Sequence, residues 1–450
     1  MISPALRHDT DMTRGSIPRL LIGFAVPLLI GNIFQQTYNT VDSVIVGNFV
    51  GKQALAAVGC TGPIINMLIG LFMGLASGAG VVISQFYGAK DQEKLEQSVH
   101  TTVVLTLIMC LFITALGVLL TPAMLRLMET PEDVFAQAAS YLRIYFWGAS
   151  GLLLYNIGAG ILRAVGDSTR PLYFLIFSAV TNTVLDLLFV KYLGLGIAGA
   201  AWATVAAQAM SAALVMGLLL RSGEGYRLTP GKLRITGSIL KKICAIGVPS
   251  SLQLGITAFS NVFVQSYVNR FDSGCMAGWT AYLKLDAFAM QPLLSLSVAL
   301  TTFVGQNIGA GDMDRARKGP RYGLVMGFVM MLVILIPLMG FAPQLVSLFN
   351  REAEVLRFGS FFIRTISPFY LAFAVNQIYS GALRGAGDTR ATMYIMLFSF
   401  VLFRQIYLYT VYKMGLGIEA IAYAYPLGWL MCCILLVIYY YSGAWRRSGI

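Results

Sequence analysis

Charge is scarce in this chain of 450 residues: Asp, Glu, Lys and Arg together make up 12% of it, against about 25% in an ordinary soluble domain. A water-soluble protein this poor in charge could not cover its surface with polar groups. Histidine is rarer still, with only His8 and His100. The six cysteines are scattered and form no C-x-x-C pair, which excludes a zinc site or a disulfide framework and leaves them as small apolar residues in helices. No Walker A loop is present, so ATP is not expected to drive anything here. No small-residue cleavage pattern closes a short apolar segment near the N-terminus, so the first apolar run is expected to stay as a membrane helix rather than leave as a signal peptide.

What the chain has in excess is apolar sequence, 57% of it. The runs are long, as in Val103–Leu120, Phe174–Val190 and Tyr322–Phe341. Roughly 20 apolar residues carry a helix across about 30 Å of hydrocarbon. A lone segment in lipid must satisfy its own backbone hydrogen bonds, so each run is expected to be helical. The expected class is an all-α integral membrane protein with twelve transmembrane helices. They are placed at 17–43, 53–80, 99–121, 134–158, 171–190, 197–220, 239–266, 277–303, 322–341, 355–379, 392–412 and 417–441.

The net charge of +12 is distributed as a membrane protein requires, and nucleic acid is not an expected partner. With the N-terminus cytoplasmic, the outer loops hold only Lys52, Arg126, Lys191, Arg270, Arg351, Arg357 and Lys413, while Arg143, Lys284, Arg364 and Arg404 fall inside spans. The other Lys and Arg lie on the inner side, many in one connection from Arg221 to Lys242. That bias places both termini in the cytoplasm of a multi-pass protein of the cell (plasma or inner) membrane, with anionic lipid heads as the partners of these bases.

The two halves repeat. Leu162-Arg163-Ala164-Val165-Gly166-Asp167 recurs as Leu383-Arg384-Gly385-Ala386-Gly387-Asp388, Gln85 to Ala89 recurs as Gln306 to Ala310, and Gly194-Leu195-Gly196-Ile197 recurs as Gly415-Leu416-Gly417-Ile418, all at an offset of 221. Pro27 and Asn39 recur as Pro249 and Asn261 at 222. Several unrelated landmarks sharing one offset imply an internal duplication. Six spans per copy is an even number, so the copies are expected as two six-helix lobes in a parallel pseudo-two-fold repeat. The expected division is a cytoplasmic tail at 1–15, an N-lobe at 16–221, a cytoplasmic linker at 222–238, a C-lobe at 239–442 and a second tail at 443–450. Transporters of this design hold the substrate path between the halves and work by rocking them.

Carboxylates inside spans are the sharpest functional signals, since each costs on the order of 3 kcal/mol at mid-bilayer. Asp42, Asp186 and Asp286 lie clearly within spans. In the first span Gln35, Asn39 and Asp42 fall on one helical line, with Tyr38 beside it. In the fifth, Asn182 and Asp186 share a face, and Thr204 lies in the sixth beside Trp202. An acid pair with an amide and a hydroxyl serves two chemistries. Ionised, its oxygens suit a dehydrated Na⁺. Alternatively it holds H⁺, because burial and like-charge proximity both penalise the doubly ionised pair. The residues leave that choice open. At matching offsets Asp42 faces Val264, Asn182 faces Phe403 and Asp186 faces Tyr407, so these groups are not part of the shared scaffold. The second half has its own charges, Lys284, Asp286 and Arg404; Asp286 fits a substrate or ion role as well as a structural salt bridge. Pro27 sits mid-span and removes a helical hydrogen bond, which permits a kink.

These residues resemble the multidrug and toxic compound extrusion (MATE) family over nearly the whole chain. The resemblance rests on Pro27, Gln35, the Tyr38-Asn39-Thr40-Val41-Asp42 segment, the Gly88-Ala89 and Gly309-Ala310 turns, the paired Leu-Arg-x-x-Gly-Asp motifs and Asn182-x-x-x-Asp186. It implies alternating access and export of amphipathic, often cationic compounds in exchange for H⁺ or Na⁺, by a protein expected to be a monomer and not an enzyme. By position it implies a cation-coupling site at Asp42, Asn182, Asp186 and Thr204, with Gln35, Tyr38, Asn39 and Asn156 near it. Gln253, Asn261, Asp286 and Arg404 are the corresponding cavity candidates of the second half. Some members place a coupling acid on the seventh span. This chain departs there, offering Gln253, Asn261 and Gln265, so no coupling site of that type is expected in the C-lobe. No cofactor is implied beyond the coupling ion, with Na⁺ one candidate. Two other readings remain. A flippase for lipid-linked oligosaccharide shares the superfamily fold and would use bases such as Arg404 and Lys284 to hold pyrophosphate. A membrane enzyme would use Gly309-Ala310-Gly311-Asp312 or Gly385-Ala386-Gly387-Asp388, which match an intramembrane aspartyl protease pattern but sit at span ends beside basic residues.

Overall fold

The computed structural model describes residues 11–128, 130–223 and 225–447. The first part of the expected N-terminal tail and the end of the expected C-terminal tail lie outside the described residues. The described chain is almost entirely helical. In order the α-helices are α1 (Ile17–Phe49), α2 (Lys52–Gly88), α3 (Gln92–Leu127), α4 (Glu132–Trp147), α5 (Ala149–Ala164), α6 (Thr169–Asp186), α7 (Gly196–Arg221), α8 (Gly237–Val268) and α9 (Ser273–Ala289). They continue as α10 (Gln291–Gly309), α11 (Met313–Gly340), α12 (Ala342–Ser347), α13 (Ala353–Ile366), α14 (Tyr370–Gly385), α15 (Thr389–Leu397), α16 (Arg404–Lys413), α17 (Ile418–Ala422) and α18 (Ala424–Ser442).

Eleven stretches among the described residues are long and apolar enough to cross a membrane, and a bent pair brings the number to 12. That pair is α4 and α5, which meet at 47° across Gly148, so the span expected at 134–158 is two helices. Several spans exceed the expected lengths: the third covers Gln92–Leu127, and α9 with α10 form one continuous apolar stretch, Ser273–Gly309. α1 runs through Pro27 without interruption. The span containing α6 ends in a π-helical turn, Leu187–Tyr192, and α15 is joined to α16 by another, Phe398–Phe403.

The repeated motifs are helix-ending devices. At Asp167 and Asp388 the backbone N–H reaches back to Leu162 and Leu383 at 2.9 Å, and the preceding glycines take the left-handed turn that such an ending needs, φ 96° at Gly166 and 85° at Gly387. The same ending closes α2 and α10, where the N–H groups of Asp91 and Asp312 bond Phe86 and Asn307. Each of the four aspartates then starts the next helix. Asp91, Asp167, Asp312 and Asp388 accept the backbone N–H of Lys94, Arg170, Arg315 and Ala391. The acids of the protease-like Gly-x-Gly-Asp patterns are thus helix caps, each accepting a backbone N–H, and Asp388 also accepts the Tyr439 hydroxyl.

Compactness divides the chain into two units. One holds Pro27–Gly247; the other joins Met12–Val26 to the chain from Val248 onward. These cuts do not follow the expected 16–221, 222–238 and 239–442 division. The start of α1 belongs with the second unit because the segment before it is bonded there. Met12 is fully buried, its N–H donates to Gln306 Oε1 at 3.1 Å, and its carbonyl accepts from Asn307 Nδ2 at 3.1 Å. Arg315 Nη2 donates to Gly15 O at 2.9 Å. The connection before α8 belongs with the first unit for a parallel reason: Lys232 pairs with Glu96 at 2.8 Å, and the N–H of Thr236 donates to Thr101 Oγ1 at 3.1 Å.

Within the first unit α5 packs on α7 and on α2, with Leu153, Leu162, Val215 and Leu219 in the core. Within the second, α14 packs on α18 and α10, around Leu296, Ile378, Leu383 and Leu436. Small residues permit the closest approaches, as is usual where hydrocarbon surrounds the helices. At Gly381 an added Cβ would stand 2.5 Å from the Ser297 carbonyl oxygen, a backbone atom that cannot swing away. Gly381→Ala is therefore expected to destabilise the protein by roughly 1–3 kcal/mol, measured as a lowered midpoint of thermal unfolding in detergent; an unchanged midpoint would contradict this packing.

Candidate functional site

In the first unit the side chains of α1, α6 and α7 converge. Asp42 is buried, and its carboxyl meets that of Asp186, which is wholly enclosed at the C-terminal end of α6. One oxygen of Asp42 and both oxygens of Asp186 accept no hydrogen bond from the protein. Neither acid has an ion-pair partner among the described residues. Asn182, one turn earlier on α6, donates from Nδ2 to Thr204 Oγ1 at 3.4 Å, and Thr204 in turn donates to Ala200 O at 3.1 Å. The structure thus brings all four expected coupling residues into one unit and places the two acids side by side.

Two buried, ionised carboxylates in contact are strongly disfavoured. Each loses its hydration, they repel one another, and no protein donor compensates. A proton shared between them or a cation against their oxygens removes the conflict. Asn182, on the same helix one turn before Asp186, and Thr204, which it bonds, add an amide and a hydroxyl to the same region of the unit. The π turn begins directly after Asp186, and its wider register appears as the N–H of Leu193 bonding Leu188 at 2.9 Å. Such turns interrupt the regular ladder and recur at functional positions.

The remaining first-span residues do not share the fate of Asp42. Gln35 and Asn39 are exposed on α1, and Tyr38 is half-buried with its hydroxyl bonded to Gln35. Asn156 turns back to its own helix, donating to Leu152 O at 2.9 Å, and so does not join the acid pair. The sequence reading missed Tyr141 and Tyr145 of α4. Both are buried, their rings stack with centroids 6.4 Å apart, Tyr141 lies in the field of both acids, and Tyr145 bonds Gln208. The available signal was two tyrosines one helical turn apart in an apolar span, where each hydroxyl needs a partner.

The second unit carries a different arrangement. Asp286 on α9 has no basic partner among the described residues, so the salt bridge weighed for it is absent; two tyrosines serve instead. Tyr370 donates its hydroxyl to Asp286 Oδ1 at 2.6 Å and Tyr282 donates at 3.2 Å. Trp279, Phe362, Tyr425 and Trp429 pack around these rings. Lys284 is exposed, over the ring of Phe349. Arg404 is buried at the start of α16, directly after the second π turn, and donates from Nη2 to Ser260 Oγ at 2.7 Å and Asn261 Oδ1 at 2.8 Å. Asn261 is exposed beside it, and Gln253 is buried against Met396. Ser260, Tyr282, Tyr370 and Tyr425 had not been singled out, because nothing in their local sequence distinguishes them from packing residues.

Tandem units of membrane-spanning helices, with Asp42, Asp186 and Arg404 buried among the spans, have the build of a membrane transporter. The MatE family model matches residues 27–188 and again 249–410, and the chain belongs to the MatE family. The two matches lie 222 residues apart, one copy in each half. The chain is similar to the probable multidrug resistance protein YoeA of Bacillus subtilis (strain 168), 31% identical over 449 residues that cover 97% of this chain and 96% of that one. It is also similar to the probable multidrug resistance protein YpnP of the same organism, 30% identical over 443 residues and 97% of each chain. A solved outward-facing structure of a multidrug resistance MATE family transporter of the MOP superfamily has the same fold, with a TM-score of 0.91 over 98% of both chains at 23% identity.

The Tyr370 hydroxyl sits fully buried on a carboxylate, so the pair should be energetically coupled. In a double-mutant cycle of Tyr370→Phe and Asp286→Asn, thermal unfolding is expected to return a coupling of at least about 1 kcal/mol. Additive effects would show that the 2.6 Å contact contributes nothing.

Proposed function

We propose that this protein is a secondary antiporter of the cell membrane that exports amphipathic, often cationic drugs or metabolites in exchange for H⁺ or Na⁺. The observation that carries the reading is the Asp42–Asp186 pair, buried and without an ion-pair partner among the described residues. An acid pair of this kind is stable only when it holds a cation, and it therefore responds to the cation's chemical potential on whichever side it faces. With H⁺, one carboxyl donates to the other and the pair carries a single negative charge. With Na⁺, the carboxylate oxygens, the Asn182 amide oxygen and the Thr204 hydroxyl supply hard oxygen ligands. Release of the cation restores the repulsion and disfavours the packing of α1 against α6. Rocking of two lobes is the motion by which the two tandem copies are proposed to couple that change to substrate movement. Gln35, Tyr38 and Asn39 form the polar stretch of α1 leading to Asp42, and Pro27 lies at its start, where the missing hydrogen bond makes bending least costly. Asn156, Gln253, Asn261, Asp286 and Arg404 remain the proposed substrate-facing groups. The multidrug resistance names of the two Bacillus relatives support this substrate class. The distribution of Lys and Arg supports cytoplasmic termini, and a monomer holds one complete pair of copies.

The second reading is a flippase for lipid-linked oligosaccharide, favoured by the buried cation Arg404. A pyrophosphate needs several bases together, and Lys284 is exposed against Phe349 instead. The antiporter therefore accounts for more of the buried charge.

The purified protein, reconstituted in vesicles and supplied with a cationic dye, is expected to export it under an imposed H⁺ or Na⁺ gradient, and the gradient that works identifies the coupling ion. Asp42→Asn and Asp186→Asn are each expected to reduce gradient-driven efflux to background while the protein inserts at normal levels. Undiminished efflux by either variant would overturn the coupling assignment. Transport of a lipid-linked sugar without dye efflux would favour the flippase. Orientation is checked separately: in a variant lacking the six native cysteines, a cysteine at Arg227 should react with an impermeant maleimide only in opened cells. Labelling in intact cells would invert the proposed topology.

A further inference from the structure

Arg404 has no task in the coupling cycle. Its side chain is only 3% exposed, and a guanidinium stays charged in any protein environment. No carboxylate lies within 4.0 Å of it among the described residues. Its neighbours are neutral: Ser260 Oγ, Asn261 Oδ1 and the face of Tyr425, 4.9 Å from Cζ. Its Nε is buried and donates to nothing. Removing one charge from water without a counter-ion costs several kcal/mol, so the position is unfavourable unless something else accounts for it.

A structural tie between α8 and α16 does not account for it. The adjacent Gln405 already makes that tie with a neutral side chain, donating from Nε2 to Ser260 O at 3.2 Å and Ser260 Oγ at 3.0 Å. The shared scaffold does not require a cation there either. Thr183 holds the equivalent position of the first copy and merely bonds Ala179 O of its own helix. The π turn Phe398–Phe403 ends immediately before Arg404, so the regular ladder is broken just where the guanidinium is presented. On one side of the arginine, exposed Asn261 touches Nη2, which places the guanidinium one side chain below an accessible surface. On the other, Tyr425 lies within the electrostatic reach of both Arg404 and Asp286. A flat guanidinium with an unpartnered Nε, the Tyr425 ring 4.9 Å from it and Asp286 within electrostatic reach of that ring form a site of mixed polarity.

Resting on the transporter reading above, we propose that Arg404 is an anion subsite of the second unit, taking the oxyanion, such as a carboxylate, of an amphipathic aromatic substrate whose ring system lies against Tyr425. The substrate range then includes organic anions and zwitterions as well as cations. The donor fork of arginine suits a planar oxyanion, and the ligand supplies both the missing counter-ion and the missing acceptor at Nε. Tyr425 presents a face that tolerates many ring systems, which is compatible with a broad range.

The test uses two dyes on one xanthene scaffold, anionic fluorescein and cationic rhodamine 123, with the full-length protein in nanodiscs of phosphatidylcholine, which contributes no anionic headgroup. Binding is read by fluorescence anisotropy without any ion gradient. Arg404→Gln is expected to weaken fluorescein binding at least about tenfold, the loss of one charge-assisted contact, and to weaken rhodamine 123 binding far less or not at all, with the thermal-unfolding midpoint in nanodiscs showing that the variant is folded. Arg404→Lys keeps the charge without the fork and should fall between the two; it carries the test should the glutamine variant not fold. Equal fluorescein affinity in all three proteins overturns the subsite, as does failure of the unmodified protein to bind fluorescein. If the unmodified protein binds and exports rhodamine 123 but ignores fluorescein, the antiporter reading stands and the anion subsite falls. Arg404-dependent fluorescein binding without gradient-driven efflux of either dye keeps the subsite and removes the antiporter.

Discussion

A charged side chain within hydrocarbon has no water to turn to, and most of what is distinctive in this protein follows from how each such group is compensated. The caps at Asp91, Asp167, Asp312 and Asp388 are fully conventional: each carboxylate accepts backbone N–H groups at a helix start. Asp286 lies among spans and takes two tyrosine hydroxyls. Asp42 and Asp186 take only each other, and Arg404 is left with a free donor. That gradation, from satisfied to unsatisfied, separates the charges that build the fold from those whose hydrogen-bonding capacity is left unused.

The duplication sharpens the same distinction. Both copies end these helices with a left-handed turn and start the next with an aspartate; the turn residue is glycine at 166, 311 and 387 and Lys90 at the fourth, because the device depends on only four or five consecutive residues. Gly194 and Gly415 share even their dihedral, φ 65° at both. The acid pair and the arginine have no counterparts at matching positions, where Val264, Tyr407 and Thr183 stand. Each copy also bears a π turn in its fifth span, but at different registers: the first follows Asp186 and the second precedes Arg404. One scaffold thus carries a buried acid pair in the first half and a buried arginine in the second.

Much of this was legible from the residues in order. Charge depletion and apolar run length gave membrane helices, since the hydrocarbon imposes both. The offset of 221 gave the tandem copies, and the family match at an offset of 222 agrees with it. The bend at Gly148 was not legible, because a glycine inside an apolar run reads the same whether the helix passes straight through or turns. Nor was the membership of Met12–Val26. The hydrogen bonds that fix this segment run to Gln306, Asn307 and Arg315, nearly three hundred residues away.

Sequence by itself determined which charges lie within spans. Asp42, Asp186, Asp286 and Arg404 sit in runs long enough to be spans, as do Arg143, Lys284 and Arg364, which the structure leaves exposed. It also determined which residues share a helical face, as with Asn182 and Asp186. Tertiary structure alone decided their partners. Helical periodicity placed Gln35, Asn39 and Asp42 on one line, yet only Asp42 is buried, because the depth of a neighbouring helix varies along that line. Asp42 meets Asp186 across more than a hundred residues, Asp286 meets Tyr370 rather than a base, and Arg404 meets Ser260 and Asn261. Those pairings depend on where helices cross and how each is rotated, quantities fixed by packing over the whole unit and, near the two π turns, offset from the regular 3.6-residue period.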